Sequence, residues 1–331
     1  MSVILMGCTP RTPVSVEPPV SESPEPPAQE PVADPAPVDE PQTSLFIETV
    51  AGRTDLKEVA FSFTYLTHEG RLMKATFSDG SELQLIDKVG GAHFGYSDDE
   101  YEVHPAKPLI AYLRGDEAFL YNYELNKTQS LYEGDAVSMV RWSPLGGYLL
   151  IDDGTDVRRS NSFYRVSDGS MFSMGITGTA YWSPDEQYLA IGVAEPVSPG
   201  LPIHDGASTS TVIVRASDPD APRILAQGDH ELFCTPWGWL SNTEVVVSFW
   251  HWEEGTQVLY TIDLVTEEKN PYTASPEEAS NTLFRHVSSA QPVSADGKYR
   301  LYSEEGKVIL WVRDSDERIV IAAGHTPKWW P

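Results

Sequence analysis

The chain has 331 residues, with 23 Lys and Arg against 49 Asp and Glu, for a formal net charge of −26. That balance excludes a nucleic-acid binder, whose phosphate contacts need a basic face; 40% hydrophobic and 11% aromatic residues exclude a wholly disordered chain. No run approaches the ~20 apolar residues of a spanning helix, and two cysteines cannot make a disulfide scaffold.

The chain opens Met1-Ser2-Val3-Ile4-Leu5-Met6-Gly7-Cys8. Leu5-Met6-Gly7-Cys8 resembles a bacterial lipobox, in which a small residue precedes the cysteine that becomes lipidated. The resemblance implies cleavage behind Gly7 and a diacylglyceryl group on Cys8, an anchor that does not span the bilayer. The segment ahead of Cys8 is shorter than a full export signal and carries no Lys or Arg. Residues 9–43 then hold eleven prolines and seven acids against the single base Arg11. Such a stretch cannot bury a core and reads as a solvated, semi-extended polyproline-like tether that, fully extended, would reach on the order of 100 Å at ~3.1 Å per residue. The expected organisation is a leader remnant over 1–8, a linker over 9–44 and a folded domain over 45–331.

Beyond residue 44 the texture changes to short runs rich in Val, Ile, Tyr, Phe and Trp, broken by Gly, Asp, Asn and Pro. That is a strand-and-turn pattern with almost no helical periodicity. Three strands are expected over Val59–Leu66, Leu72–Phe77 and Glu82–Ile86. A repeat follows. Trp142-Ser143-Pro144-Leu145-Gly146-Gly147-Tyr148 aligns with Trp182-Ser183-Pro184-Asp185-Glu186-Gln187-Tyr188 and with Val293-Ser294-Ala295-Asp296-Gly297-Lys298-Tyr299. Weaker copies start at Val103 and Trp239, and Trp329-Trp330 looks like the opening of one more. Most of these markers lie about 40 residues apart, the length of one four-stranded propeller blade, and the two longer intervals leave room for insertions. Each copy reads as strand, tight turn, strand. The N-terminal three strands lack an innermost partner, which the C-terminal tryptophans supply. The expected fold is all-β, a six-bladed propeller closed by a C-terminal strand joining the N-terminal blade.

The Trp-Ser-Pro-Asp-Gly pattern resembles the TolB-like (WD40-like) propeller repeat over roughly residues 59–331. Leu145 stands where the motif has Asp, Glu186 where it has Gly, and Val293 where it has Trp. The resemblance implies a fold and is nearly silent on activity.

In such blades the loops joining strands two and three, and those joining successive blades, emerge on one face. The long segments Ala194–Ser210, Phe249–Thr256, Glu267–Ser288 and Asp152–Asn161 are assigned there, which makes that face the functional candidate. His251, Trp252 and Glu253 place an aromatic beside titratable groups, a composition suited to a glycan, a peptide or a cation. His204-Asp205 is a second polar pair, and Arg158-Arg159 a basic pair able to take a carboxylate or phosphate. Asp152, Asp153 and Asp156 lack the further ligands of a calcium loop. There is no Gly-x-Ser-x-Gly elbow, no His-Glu-x-x-His helix and no phosphate-cradling glycine loop. No cofactor, metal or catalytic residue is expected, and Cys234 reads as a small buried apolar group. Two functions stay open. One is a lipid-anchored, extracytoplasmic binding or scaffolding module of a bacterial envelope, with a protein, ligand or glycan partner. The other is an envelope enzyme processing glycans or peptides with acids and histidines on the long-loop face.

Overall fold

A computed structural model describes residues 44–91, 100–155, 158–176, 180–193, 209–228, 232–251, 253–273 and 293–330. Their strands form six sheets, each a blade. The first orders His325–Trp329, Ser62–Leu66, Leu72–Thr76 and Ser81–Ile86 from the inside outward. The second comprises Tyr101–Val103, Leu109–Gly115, Glu117–Asn122 and Lys127–Glu133, with Gly90–Gly91 parallel to Arg114–Gly115. The third runs Val137–Trp142, Tyr148–Thr155, Arg158–Arg165 and Met171–Ile176. The fourth runs Ala180–Trp182, Tyr188–Val193, Ser210–Arg215 and Asp218–Gln227. The fifth runs Leu232–Trp239, Glu244–His251, Thr256–Asp263 and Lys269–Tyr272. In the sixth, Tyr299–Glu304, Lys307–Val312 and Glu317–Ala323 pair in order, and a bridge from Val293 to Arg300 marks the inner edge.

Among the described residues, apolar clusters join five pairs of neighbouring blades. One apolar cluster joins the first and second blades through Leu66, Leu72, Tyr101 and Ile110. Others join the second to the third through Leu113, Val140 and Trp142, and the third to the fourth through Leu150, Phe163 and Leu189. A further one joins the fourth to the fifth through Ile213, Cys234 and Val247. The last joins the sixth back to the first through Leu301, Leu310, Ile321 and Phe63. The closing strand pairs antiparallel with the first, Phe63 opposite Trp329 and Thr64 opposite Lys328. Trp330 extends the ladder by donating its backbone N–H to Ser62 O at 2.9 Å.

One element departs from the strand-only expectation. Leu45–Gly52 is a helix (α1) capped by Ser44, whose hydroxyl accepts from Ile47 N, and a short 3-10 turn follows at Thr54–Glu58. Only Phe46 and Val50 of α1 are buried, too few for a periodic signal to stand out in two turns. Phe46 meets Phe63 and Phe77 edge-on at 5.5 and 5.4 Å, and α1 thereby packs on the cluster shared by the first and sixth blades.

The repeated motif is explained by what its side chains hold. Ser183 Oγ accepts from Tyr188 N at 3.0 Å and donates to Asp185, whose carboxylate accepts from Gln187 N at 3.1 Å. Ser294, Asp296, Lys298 and Tyr299 repeat the same circuit. Each pair satisfies turn donors that would otherwise lack partners. Tryptophans link blades: Trp142 Nε1 donates to Glu102 O at 3.1 Å, and Trp239 Nε1 to Tyr181 O at 2.8 Å, each reaching the innermost strand of the preceding blade. Tyr148 stacks on Trp182 at 4.6 Å.

The two departures Leu145 and Glu186 compensate each other. With no aspartate at 145, Gly147 N turns to the Glu186 carboxylate of the next blade at 3.2 Å, and Leu145 N does so at 2.6 Å. Glu186 takes the left-handed backbone, φ +58°, that the motif's glycine would adopt. Glu186→Gly is expected to destabilise the protein by about 1 kcal/mol through loss of these acceptors, whereas Leu145→Asp with Glu186→Gly restores the complete motif and recovers stability. Urea unfolding of the two single variants and the double variant measures the coupling; strictly additive effects contradict it.

Candidate functional site

Antiparallel pairing fixes which chain ends share a face. Within each blade the strand two–three connection and the exit to the next blade lie at one end, the loop face; the repeated turns lie at the other. On the loop face, His251 is the last residue of its strand, half-buried, and pairs with Leu232 and Thr256. Glu253 is exposed in the hairpin that follows, where Gly255 N donates to His251 O at 2.9 Å. Trp252, His204, Asp205 and Cys8 lie outside the described residues. Arg158 and Arg159 open the third strand of the third blade, opposite Thr155 and Gly154. The fourth blade separates that hairpin from the one carrying His251 and Glu253.

Three of the segments read as long loops are corrected, since Lys269–Tyr272, inside Glu267–Ser288, is the outer strand of the fifth blade. Phe249, Trp250 and His251 continue a strand and Thr256 begins the next, so a short hairpin joins them. Asp152–Thr155 and Arg158–Asn161 likewise belong to paired strands rather than a loop. The cause is alternation that an acid or a glycine does not break once the neighbouring strands supply hydrogen bonds. Asp152 is buried, and Asp153 accepts from Tyr132 Oη at 2.7 Å and Ala136 N at 2.9 Å, tying the second blade to the third. Among the described residues, no three His, Cys, Asp or Glu side chains gather to hold a metal ion.

Cys234 is fully buried with its Sγ 3.5 Å from Thr211 Oγ1, and burial pushes its thiol up, away from nucleophilic use. His68 and His325 bring their rings to 6.4 Å at the loop-face end of the first blade. Nearer the axis, sequence reasoning missed a buried polar network. Tyr101 Oη donates to Thr326 O at 2.7 Å and lies 3.0 Å from Thr64 Oγ1, while Lys328 Nζ donates to Tyr101 O at 2.7 Å. Burial raises the Tyr101 phenol well above its usual range, and the ring holds its proton as a donor. These four residues come from three strands distant in sequence, so no spacing signal marks them.

His104 occupies the serine position of the weak first copy and is also buried. Its Nδ1 accepts from Ala106 N and Lys107 N, both at 2.9 Å, leaving Nε2 to donate to Gly146 O of the third blade at 3.0 Å. Gly146 is required here, since a Cβ would sit 2.4 Å from the His104 ring and φ is +78°. Desolvation, the main cause, holds the imidazole pKa below its ordinary value. Protonation would also aim a new N–H at two backbone donors.

No family model matches the chain, and no curated protein matches it. Solved structures do. TolB from Acinetobacter baumannii aligns at 13% identity and a TM-score of 0.42, covering 81% of this chain and 66% of that one. An oligogalacturonate lyase from Vibrio parahaemolyticus aligns at 10% identity and a TM-score of 0.44, covering 77% and 71%. The β-propeller domain of the Trilobed protease from Pyrococcus furiosus aligns at 14% identity and a TM-score of 0.43, covering 79% and 78%. The chain thus spans about two thirds of the length of that TolB. Similarity this distant carries no activity across, because one fold hosts many functions.

A neutral imidazole in the folded state and an ordinary one in the unfolded state give a definite sign. The His104 contribution is complete above the unfolded value of about 6.5 and is lost as pH falls below it toward the folded value. His104→Ser restores the repeat's serine and removes this dependence. The urea midpoint of the native protein is expected to fall more between pH 7 and pH 5 than that of His104→Ser; parallel profiles contradict the assignment.

Proposed function

We propose that the protein is a lipid-anchored, extracytoplasmic propeller that binds or scaffolds a partner in a bacterial cell envelope. The observation that carries this reading is the combination of Cys8, the proline- and acid-rich stretch behind it, and a closed ring of blades. A lipid on Cys8 holds the chain to a bilayer, and a tether reaching on the order of 100 Å at full extension lets a rigid domain reach partners away from the surface. Excess acid in that stretch and in the folded domain favours solubility and repulsion from anionic headgroups.

The ring supports a binding role in a second way. Tryptophan, serine and aspartate of the repeat are engaged in turns and blade contacts, as is His104. Recognition therefore falls to the loop face, where His251 and Glu253 share a hairpin. Trp252, His204, Asp205, Arg158 and Arg159 remain assigned to the same face by their place in the chain.

Metabolic labelling with an alkyne fatty acid in a bacterial host tests the anchor. Label on the native chain that disappears in Cys8→Ala is the expected result; no label on the native chain, or equal label on both, contradicts it. The labelled protein then serves as bait in envelope extracts beside the His251→Ala, Glu253→Ala double variant, which is expected to lose its partner while unfolding at the same temperature. Glycan or peptide turnover abolished by the same substitutions would establish the enzyme reading instead.

A further inference from the structure

On the outer flank of the fourth blade, away from the loop face, lies a cleft of about 290 Å³. It is lined by Tyr188, Ile213, Arg215, Asp218, Ala221 and Arg223 of the fourth blade and by Leu264 of the fifth. The volume sits at the lower end for small-molecule sites, which suits a metabolite or a chain terminus and not a polymer. Its floor is rigid. Ile213 and Leu264 belong to the apolar cluster between the two blades, and Tyr188 stacks on Trp239 at 6.4 Å.

The arginines distinguish this cleft from a simple seam. Arg223 is committed, donating to Glu267 at 2.7 Å and to Leu264 O at 3.4 Å. Arg215 is not. Its guanidinium lies 5.8 Å from the Tyr188 ring, and among the described residues it has no hydrogen bond and no ion pair. Asp218, its cross-strand neighbour, lies beyond ion-pair distance. Arg71 and Arg318 likewise have no side-chain hydrogen bond or ion pair among the described residues, and of the three it is Arg215 that lines a cleft. Elsewhere Arg53 holds Asp55 and Glu317, and Arg165 holds Asp168.

We propose that this cleft is a binding site for a small monocarboxylate with an apolar body. The carboxylate lies on the fork of Arg215, a bidentate geometry that a lysine cannot reproduce. The body rests on Tyr188, Ile213 and Leu264. Arg223 adds positive potential, while Asp218 disfavours a second negative charge. Free carboxylic acids and the C-terminus of a peptide ending in an apolar residue share this chemistry.

Titration calorimetry of the full chain at low salt, with 4-methylpentanoate and N-acetylleucine as probes, tests the site. Saturable binding is expected, weakened about tenfold or more by Arg215→Ala and only partly restored in Arg215→Lys. Arg215 is exposed, so neither variant threatens folding. N-acetylleucine amide, which lacks the charge, is expected not to bind. Tighter binding of N-acetylleucine than of 4-methylpentanoate identifies a peptide terminus as the source, and the reverse a free acid. No saturable heat up to about 20 mM, equal binding by Arg215→Ala, or equal binding of the amide overturns the proposal. Loss of the Cys8 anchor leaves these outcomes unchanged.

Discussion

Hydrogen bonds between His325–Trp329 and Ser62–Leu66 join the two ends of the folded domain in one sheet. Without them the first blade would expose an inner edge of unpaired N–H and C=O groups, and the ring would have no covalent or hydrogen-bonded closure. The side chains of the closing strand divide between both neighbours. Trp329 packs with Phe61 at 5.7 Å and joins the cluster shared with the sixth blade. Trp330 faces the other way, 4.7 Å from Tyr123 of the second blade and under Lys74 Nζ at 3.9 Å. Lys328 and Thr326 then bind Tyr101 across the seam. One short strand thus fastens three blades.

The remaining seams use a repeated device. At Trp142 and Trp239 an indole N–H reaches the innermost strand of the preceding blade, and in the fourth and sixth blades a serine–aspartate pair satisfies the repeated turn. Where the motif is incomplete, a neighbour supplies what is missing, as Glu186 does for the turn at Leu145 and His104 does by reaching Gly146. Tolerance of lost motif residues is therefore a property of pairs of blades. A sequence reader sees two degraded copies; the fold contains two complementary ones.

Much of the architecture is legible in the sequence for this reason. Markers at Val103, Trp142, Trp182 and Trp239 each end an innermost strand, because that position must donate to or pack against the preceding blade. Behind the Val293 copy of the repeat, the sixth blade continues with strands over Lys307–Val312 and Glu317–Ala323. Helix α1 was hidden because two buried residues in eight carry little periodicity. The site was far less legible. His251 and Glu253, expected in a long loop, lie at a short hairpin, and the Tyr101 network and the Arg215 cleft assemble from strands that only tertiary pairing brings together. Acid-rich stretches such as Asp152–Thr155 suggested a loop and form a strand, since ladder partners outweigh local polarity.

The repeated turns and the seams hold the ring, apart from the connections at the loop face. That arrangement fails if the ring is not closed. Hydrogen exchange of the Ser62–Leu66 amides in the full chain tests closure most directly. The account predicts that the amides facing the closing strand exchange as slowly as those of the inner strands of the third and fifth blades; exchange as fast as in an unstructured peptide would contradict it.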